Sequence, residues 1–471
     1  MPKYVPALIY GLCLLACPLS GAQLKIIGPE GVTIEDLIRE ETYVTFVLTS
    51  GARLTNTRIT RVHEETSTTE ATITFLKVDD KPSAFTVSAV REIRVQDERL
   101  AQRRRRALGA SLSNDELKIV GQATQRALEI FAASKGNQDI RMSAALVLAA
   151  STHEKKSDSL RYLQGLAGGN DVPTAMAATT LLYLAGIPAD REVIQAGFES
   201  GNRQAKASAA RLAGLTNNTA FLPQLRTMLH DPTIETFPSA AKAIGRMGDR
   251  SGLPELYGAM RALTEVKGEA AVFALSRMGG EEVHQKMLEM LEETKGVEWF
   301  RVLRVLYALE DNRAKKLMKE VALGQPAYQR TAALLLAADQ VWEGTLFLRN
   351  YLEKAEDPNL KNLVFKAKVA ETLFMAGDIQ AKNLLQELVN TRPNTIYTKG
   401  RTTDMDFKIR TATEVQLNAL VLIENTGSRN LLSLLVGPVE SANPLVAINA
   451  CMAAVAIGNP EFGDRLKEMR Y

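Results

Sequence analysis

The sequence predicts a mainly α protein, a right-handed α-solenoid of about ten helix pairs preceded by a small all-β barrel. Three observations predict it. Apolar residues fall on a 31-residue comb at Leu163, Ile194, Leu225, Leu256, Met287 and Met318. A second comb runs four residues behind, at Ala167, Phe198, Leu229, Met260, Leu291 and Ala322, and a third at Leu182, Ala213, Ile244, Leu275 and Leu306. Residues 24–97, by contrast, set short runs of Val, Ile, Thr and Phe between turn-forming clusters. Positions four apart share a helix face, so the first two combs mark one helix per repeat and the third marks its partner. A lone pair of this kind cannot bury its apolar face, so stability must come from stacking.

Residues 1–22 read as a signal peptide. Lys3 gives a positive start, apolar residues run from Val5 to Leu19, and Ser20-Gly21-Ala22 fits a small-x-small cleavage site ahead of Gln23. The expected location is therefore periplasmic or extracellular. Lipid attachment at Cys17 is the weaker alternative, because Leu15 and Pro18 fit a lipoprotein box poorly. Cys13 and Cys17 leave with the signal, and Cys451, in an Ala-rich apolar helix, is expected to be buried and inert. No later run approaches the length of a membrane span, so no transmembrane segment is expected in the mature chain.

Residues 23–97 form the expected β domain. A short helix over Ile34 to Glu40 precedes strands at Tyr43 to Thr49, Leu54 to Val62, Ala71 to Val78 and Ala84 to Val87, with a last strand through Ile93 and Val95. A short helix followed by five small strands resembles the Sm-like and SH3-like barrels. The Sm family carries a glycine in its second strand and an Asp-Asn pair in its RNA-binding loop. Here Asn56 falls near the glycine position, and no Asp-Asn pair occurs between Val62 and Phe75. The resemblance therefore extends to fold and not to RNA binding. A formal charge of +3 gives no general reason for a nucleic acid partner either.

Residues 98–113 are a basic linker or the start of the first array helix. Arg103, Arg104, Arg105 and Arg106 are candidates for holding acidic lipid or an envelope polyanion through forked hydrogen bonds. The array then fills residues 114–471. Its clearest stretch runs from Ala240 to Asp249 and returns one period later from Ala271 to Gly280. These segments resemble the HEAT-repeat family, in the short form also found in phycobilisome lyases. Gly248 and Gly279 fit left-handed helix caps, and Asp249 or Glu281 leads into the next helix, where negative charge suits the dipole. The resemblance implies a scaffold or adaptor. For the lyase type it implies an enzyme that handles tetrapyrroles.

Residues 391–407 interrupt the array with Pro393, Gly400 and many hydroxyls, as a surface loop would. Tyr397, Lys399 and Arg401 are candidate partner contacts there. Aromatics make up only 6% of the chain, so Trp299, Phe300, Trp342 and Phe347 are candidate anchors for a partner; packing between repeats is the alternative. His63, His153, His230 and His284 stand singly, without metal-ligand spacing, and no phosphate loop or nucleophile elbow occurs. No catalytic residue, metal or cofactor is expected. The reading is an exported, non-enzymatic scaffold or adaptor that binds a protein partner through the solenoid surface. The alternatives are a lyase-type enzyme or chaperone, and an envelope polyanion or lipid binder acting through the Arg-rich linker.

Overall fold

The 31-residue comb is a row of buried side chains. Leu163, Ile194, Leu225, Leu256, Met287 and Met318 are each no more than 1% exposed. The structure is a computed structural model and describes residues 25–27, 34–39, 43–50, 53–63, 71–76, 82–95, 111–231, 236–353, 360–378, 380–396 and 405–470. The chain forms two compact units. One spans Ser111–Phe374 and Ile379–Tyr471; the other holds the residues before Ser111 together with Met375–Asp378. The expected signal peptide, Cys17, Arg103 to Arg106, Tyr397, Lys399 and Arg401 lie outside the described residues.

In the smaller unit, α1 (Ile34–Arg39) accompanies β1 (Lys25–Ile27), β2 (Tyr43–Leu48), β3 (Arg53–His63), β4 (Thr72–Leu76), β5 (Pro82–Thr86) and β6 (Val90–Val95). The strands make one sheet in the order β1-β6-β2-β3-β4-β5. The pairs β2–β3, β3–β4, β4–β5 and β2–β6 are antiparallel, and β1 joins β6 in parallel. In a flat sheet β2 and β5 would lie about 14 Å apart, three strand spacings. Yet the rings of Phe46 on β2 and Phe85 on β5 have centroids only 5.9 Å apart, with Phe75 of β4 touching both at 5.1 and 4.8 Å. The sheet is therefore strongly coiled around these rings, with β1 and β5 as its edges among the described residues. Leu37 of α1 is fully buried in the same core. β1 is the strand that the sequence pattern does not reveal. Three residues show no alternation, and Lys25–Ile27 is a strand only because β6 offers a partner.

The larger unit opens at α2 (Asn114–Ala133), capped by Ser113. The Ser113 hydroxyl accepts from the Glu116 N–H at 3.3 Å, and the Glu116 carboxylate accepts from the Ser113 N–H at 2.8 Å. There follow α3 (Gln138–Ala150), α4 (Lys156–Ala167), α5 (Val172–Leu184), α6 (Arg191–Glu199), α7 (Arg203–Leu215), α8 (Leu222–Leu229), α9 (Thr236–Met247), α10 (Leu253–Met260), α11 (Glu265–Met278) and α12 (Gly280–Glu293). The array continues through α13 (Gly296–Ala308), α14 (Asn312–Gly324), α15 (Gln329–Ala338), α16 (Trp342–Glu353), α17 (Leu360–Met375) and α18 (Gln380–Val389). It ends with α19 (Met405–Thr426), α20 (Val436–Val439), α21 (Pro444–Gly458) and α22 (Pro460–Arg470). The first comb lies on α4, α6, α8, α10, α12 and α14; the third lies on α5, α7, α9, α11 and α13.

The partner helices stop at a fixed place. Residues with positive φ recur every 31 positions, at Gly186, Asn217, Gly248, Gly279 and Glu310. The next residue then bonds back to the third comb. Ile187, Asn218, Asp249 and Asp311 donate their N–H groups to the carbonyls of Leu182, Ala213, Ile244 and Leu306 at 2.9–3.2 Å. Glycine adopts this backbone without steric cost, which is why two of the five were legible as caps.

Consecutive partner helices α5, α7, α9, α11 and α13 pack directly on one another. Their backbones nearly touch. A Cβ added to Gly214 of α7 would lie 2.6 Å from Ala243 Cα on α9, and one added to Gly245 of α9 would lie 2.5 Å from Ala274 Cα on α11. The comb-bearing helices carry larger side chains and stand farther apart, so the array bends toward the Gly/Ala layer. It bends until its ends meet. α21 packs on α2 and α3, the Asn459 amide donates to the Ala150 carbonyl at 2.9 Å, and Arg429 donates to the Ser111 carbonyl at 2.9 Å. α22 packs on α5, α7 and α19 and thus lies within the curve. Part of the inner face is covered by α22.

Adding a methyl to Gly245 has nowhere to go. Gly245→Ala is expected to cost roughly 1–3 kcal/mol in urea denaturation. Gly258→Ala, on an exposed turn of α10 with no atom within 4 Å of its new Cβ, is expected to gain about 0.5–1 kcal/mol. Equal effects at the two positions would show that backbone contact does not set the helix spacing.

Candidate functional site

A fourth 31-residue row runs along the inner helices: Arg211 on α7, Lys242 on α9, Phe273 on α11 and Arg304 on α13. One turn beyond Lys242 and Phe273 stand Arg246 and Arg277, again 31 residues apart. The closeness of the inner helices brings these side chains together. The Lys242 ammonium and the Arg246 guanidinium lie over the Phe273 ring, 5.6 and 5.2 Å from its centroid. Each cation is attracted to the negative face of the ring, which offsets part of the cost of crowding them. Arg304 makes a forked pair with Glu269 at 2.6 and 2.9 Å.

Five cations thus share one surface with two acids, Glu269 and Glu468 of α22. Burial, together with Arg246 and Arg211 nearby, holds the Lys242 ammonium below its ordinary value. Burial likewise lowers Arg211 and Arg246, and Arg277 and Arg211 add repulsion at Arg246. Burial is the largest cause of each shift, and at Lys242 and Arg246 the neighbouring cations add to it while Glu269 and Glu468 oppose it. The Arg246 side chain is only 5% exposed, whereas Arg277 and Glu468 are each 50% exposed.

Glu468 meets the row loosely. Its carboxylate oxygens stand 3.8 Å from Arg246 Nε and 3.8 Å from Arg277 Nη2, beyond hydrogen-bond length. The Glu468 backbone carbonyl takes the close bond instead, accepting from Arg246 Nη2 at 2.6 Å. Arg246 Nε is left buried without a hydrogen-bond partner. On the opposite side of α22, Arg470 meets the buried Glu424 of α19 at 3.0 and 3.1 Å, and Lys467 reaches the Asn425 carbonyl at 3.5 Å. Arg465 donates to the Leu184 carbonyl of α5 at 2.8 Å.

The expected aromatic anchors divide. Phe300 is 5% exposed and stacks on Tyr328 at 4.5 Å with planes 16° apart. Of the two readings, packing between repeats is the one seen here: Phe300 joins neighbouring repeats and is not available to a partner. Trp299 is half-buried against the same core, and Trp342 and Phe347 are half-buried on α16. Of the four, Phe300 meets the cationic row, with the Arg304 guanidinium 6.0 Å from its ring centroid. His153 Nδ1 accepts the Lys155 N–H at 3.1 Å, His230 lies 3.5 Å from Glu255, and His284 lies 3.0 Å from Asp311. No cluster of three or more His, Cys, Asp or Glu suited to a metal occurs among the described residues. Cys451 is buried as expected, and burial pushes its thiol up to about 12.

Sequence reasoning passed over the row because cations on a helix surface are ordinary; the signal that finds it is their shared 31-residue spacing. It also passed over Arg301, 4% exposed, which donates to the carbonyls of Met260, Ala262 and Thr264 at 3.0, 2.7 and 3.4 Å. Gly268 leaves the space: a Cβ there would lie 2.1 Å from Arg301 Cζ. This arginine caps α10 and braces the following turn, so its charge has a structural use outside the row.

No protein-family profile and no curated protein matches the chain. Among solved structures, it is similar to human deoxyhypusine hydroxylase in complex with glycerol, at 17% identity and a TM-score of 0.29, over 68% of this chain and 96% of that one. It is also similar to an engineered protein, at 16% identity and a TM-score of 0.24, over 74% of this chain and 99% of that one. The stacked helical fold described above stands on its own packing.

Burial pushes the Glu424 carboxyl up from its ordinary 4.5 to about 7, against the opposing pull of Arg470. The folded chain then holds this proton more tightly than the unfolded chain. The resulting stability is fully present below pH 4.5 and is lost as pH rises through 7. Glu424→Gln is expected to flatten that part of the stability–pH curve in urea titrations. An unchanged slope would mean that the carboxylate stays ionised against Arg470 throughout.

Proposed function

We propose that the protein is an exported, non-enzymatic scaffold that binds an acidic stretch of a partner polypeptide on the inner face of its helical array. One observation carries the reading: Arg211, Lys242, Arg246, Arg277 and Arg304 line consecutive inner helices, with Glu269 and Glu468 as the acids set against them among the described residues. The 31-residue recurrence spaces the cations along a line, as an extended or helical acidic segment would need. Phe273 at the centre offers an apolar and π surface to the same ligand. The half-exposed Arg277 supplies the reach to solvent and favours fast electrostatic capture.

No observation on the described residues bears on the lyase-type alternative. The polyanion or lipid reading rests on Arg103 to Arg106, which lie outside them.

The test is fluorescence anisotropy with a labelled hexaglutamate peptide and the full chain. Binding is expected to weaken steeply with salt, and Arg246→Ala with Arg277→Ala together to reduce affinity about tenfold or more. Arg161→Ala, on an exposed turn away from the row, is expected to leave it unchanged. A hexaglutamine peptide binding as tightly as hexaglutamate would sink the proposal.

A further inference from the structure

From the placement of α22 we infer that its last turn is a tethered occupant of the cationic row, with Glu468 standing where a partner carboxylate would bind. The inference rests on the acidic-segment reading above and adds its regulation.

The geometry distinguishes the two halves of α22. Its first half is locked in place. Phe462 is fully buried, Leu466 is 4% exposed, and a Cβ on Gly463 would lie 2.8 Å from the Ala456 carbonyl of α21. Its second half is held by polar contacts, the shortest being the Glu468 backbone carbonyl that accepts from Arg246 Nη2 at 2.6 Å. Glu468 faces Arg246 and Arg277, while Lys467 and Arg470 face α19. The helix is therefore fixed at its base and presents one acid to the row and two cations to the opposite wall.

The fit of Glu468 is incomplete. Both carboxylate contacts are 3.8 Å, Glu468 is half exposed, and Arg246 Nε has no hydrogen-bond partner although its side chain is 95% buried. A carboxylate free to approach Arg246 and Arg277 within hydrogen-bond length would satisfy that nitrogen and make stronger, charge-assisted bonds. Because Glu468 is tethered, it competes at a high effective concentration despite its poor geometry. An incoming acid must displace the side chain, and its apparent affinity falls by the fraction of molecules whose row is free. The base of α22 need not move.

The experiment measures hexaglutamate binding to the full chain, to Glu468→Ala and to Glu461→Ala, each checked for native circular dichroism and urea midpoint. Glu461 is on the same helix, 88% exposed, and touches only Arg465, at 4.0 Å, among the ion pairs of the described residues. It controls for the loss of one negative charge. Glu468→Ala is expected to bind about tenfold more tightly than the unaltered chain, and Glu461→Ala less than twofold more tightly. Adding Arg246→Ala to Glu468→Ala is expected to abolish the gain. Equal affinity in all three chains, or an equal rise in both single variants, overturns the tethered-occupant inference and leaves the acidic-segment reading standing. Binding by none of them overturns both, since the row then has no ligand for Glu468 to exclude.

Discussion

The close approach of inner-helix backbones at Gly214–Ala243 and Gly245–Ala274 is the constraint from which the rest of the array follows. Small residues set a short spacing on one layer, while Leu, Ile, Met and Phe set a wider one on the other. Two layers of unequal spacing, joined pair by pair, must curve. The curvature brings α21 onto α2 and α3 and leaves α22 inside. Small side chains contribute little buried area themselves. Their contribution is distance, which lets whole helix backbones come into van der Waals contact.

The same spacing assembles the cationic row. On an isolated helix Lys242 and Arg246 would be two solvated charges of little consequence. Held against α11, they share the Phe273 ring and lose water to it, and Arg211 and Arg277 add repulsion from either side. The fold tolerates this because Glu269 and Glu468 compensate part of the charge and because the row stays open at Arg277. Compensation by Glu468 is loose, whereas the Arg470–Glu424 pair across α22 is close. The two sides of one helix thus differ in how firmly they are held.

Much of the fold was legible. The combs placed the repeat helices, and the β segments matched strands β2 to β6 within a few residues. Cys451 was read correctly as buried. Other features had no local signature. Lys25–Ile27 needs β6 in order to be a strand. Phe300 was read as a possible anchor because its sequence neighbours do not disclose Tyr328, with which it stacks. Arg301 resembles any helical arginine until Gly268, one repeat earlier, is seen to vacate its space. The cationic row was present in the sequence as a periodicity, but the charges belong to one site only once the helices carrying them are in contact.

By itself the sequence determined the repeat, two of the partner-helix caps and the division into a β unit and a helical array. These depend on side-chain period and on local backbone preference, both written along the chain. Tertiary structure alone decided that the array closes, that its last helix lies within, and that Glu468 meets Arg246 and Arg277. Closure depends on a small bend summed over many repeats, and no single repeat encodes that sum. Contacts between residues more than 200 positions apart, such as Arg246 with Glu468, exist only after the sum is complete.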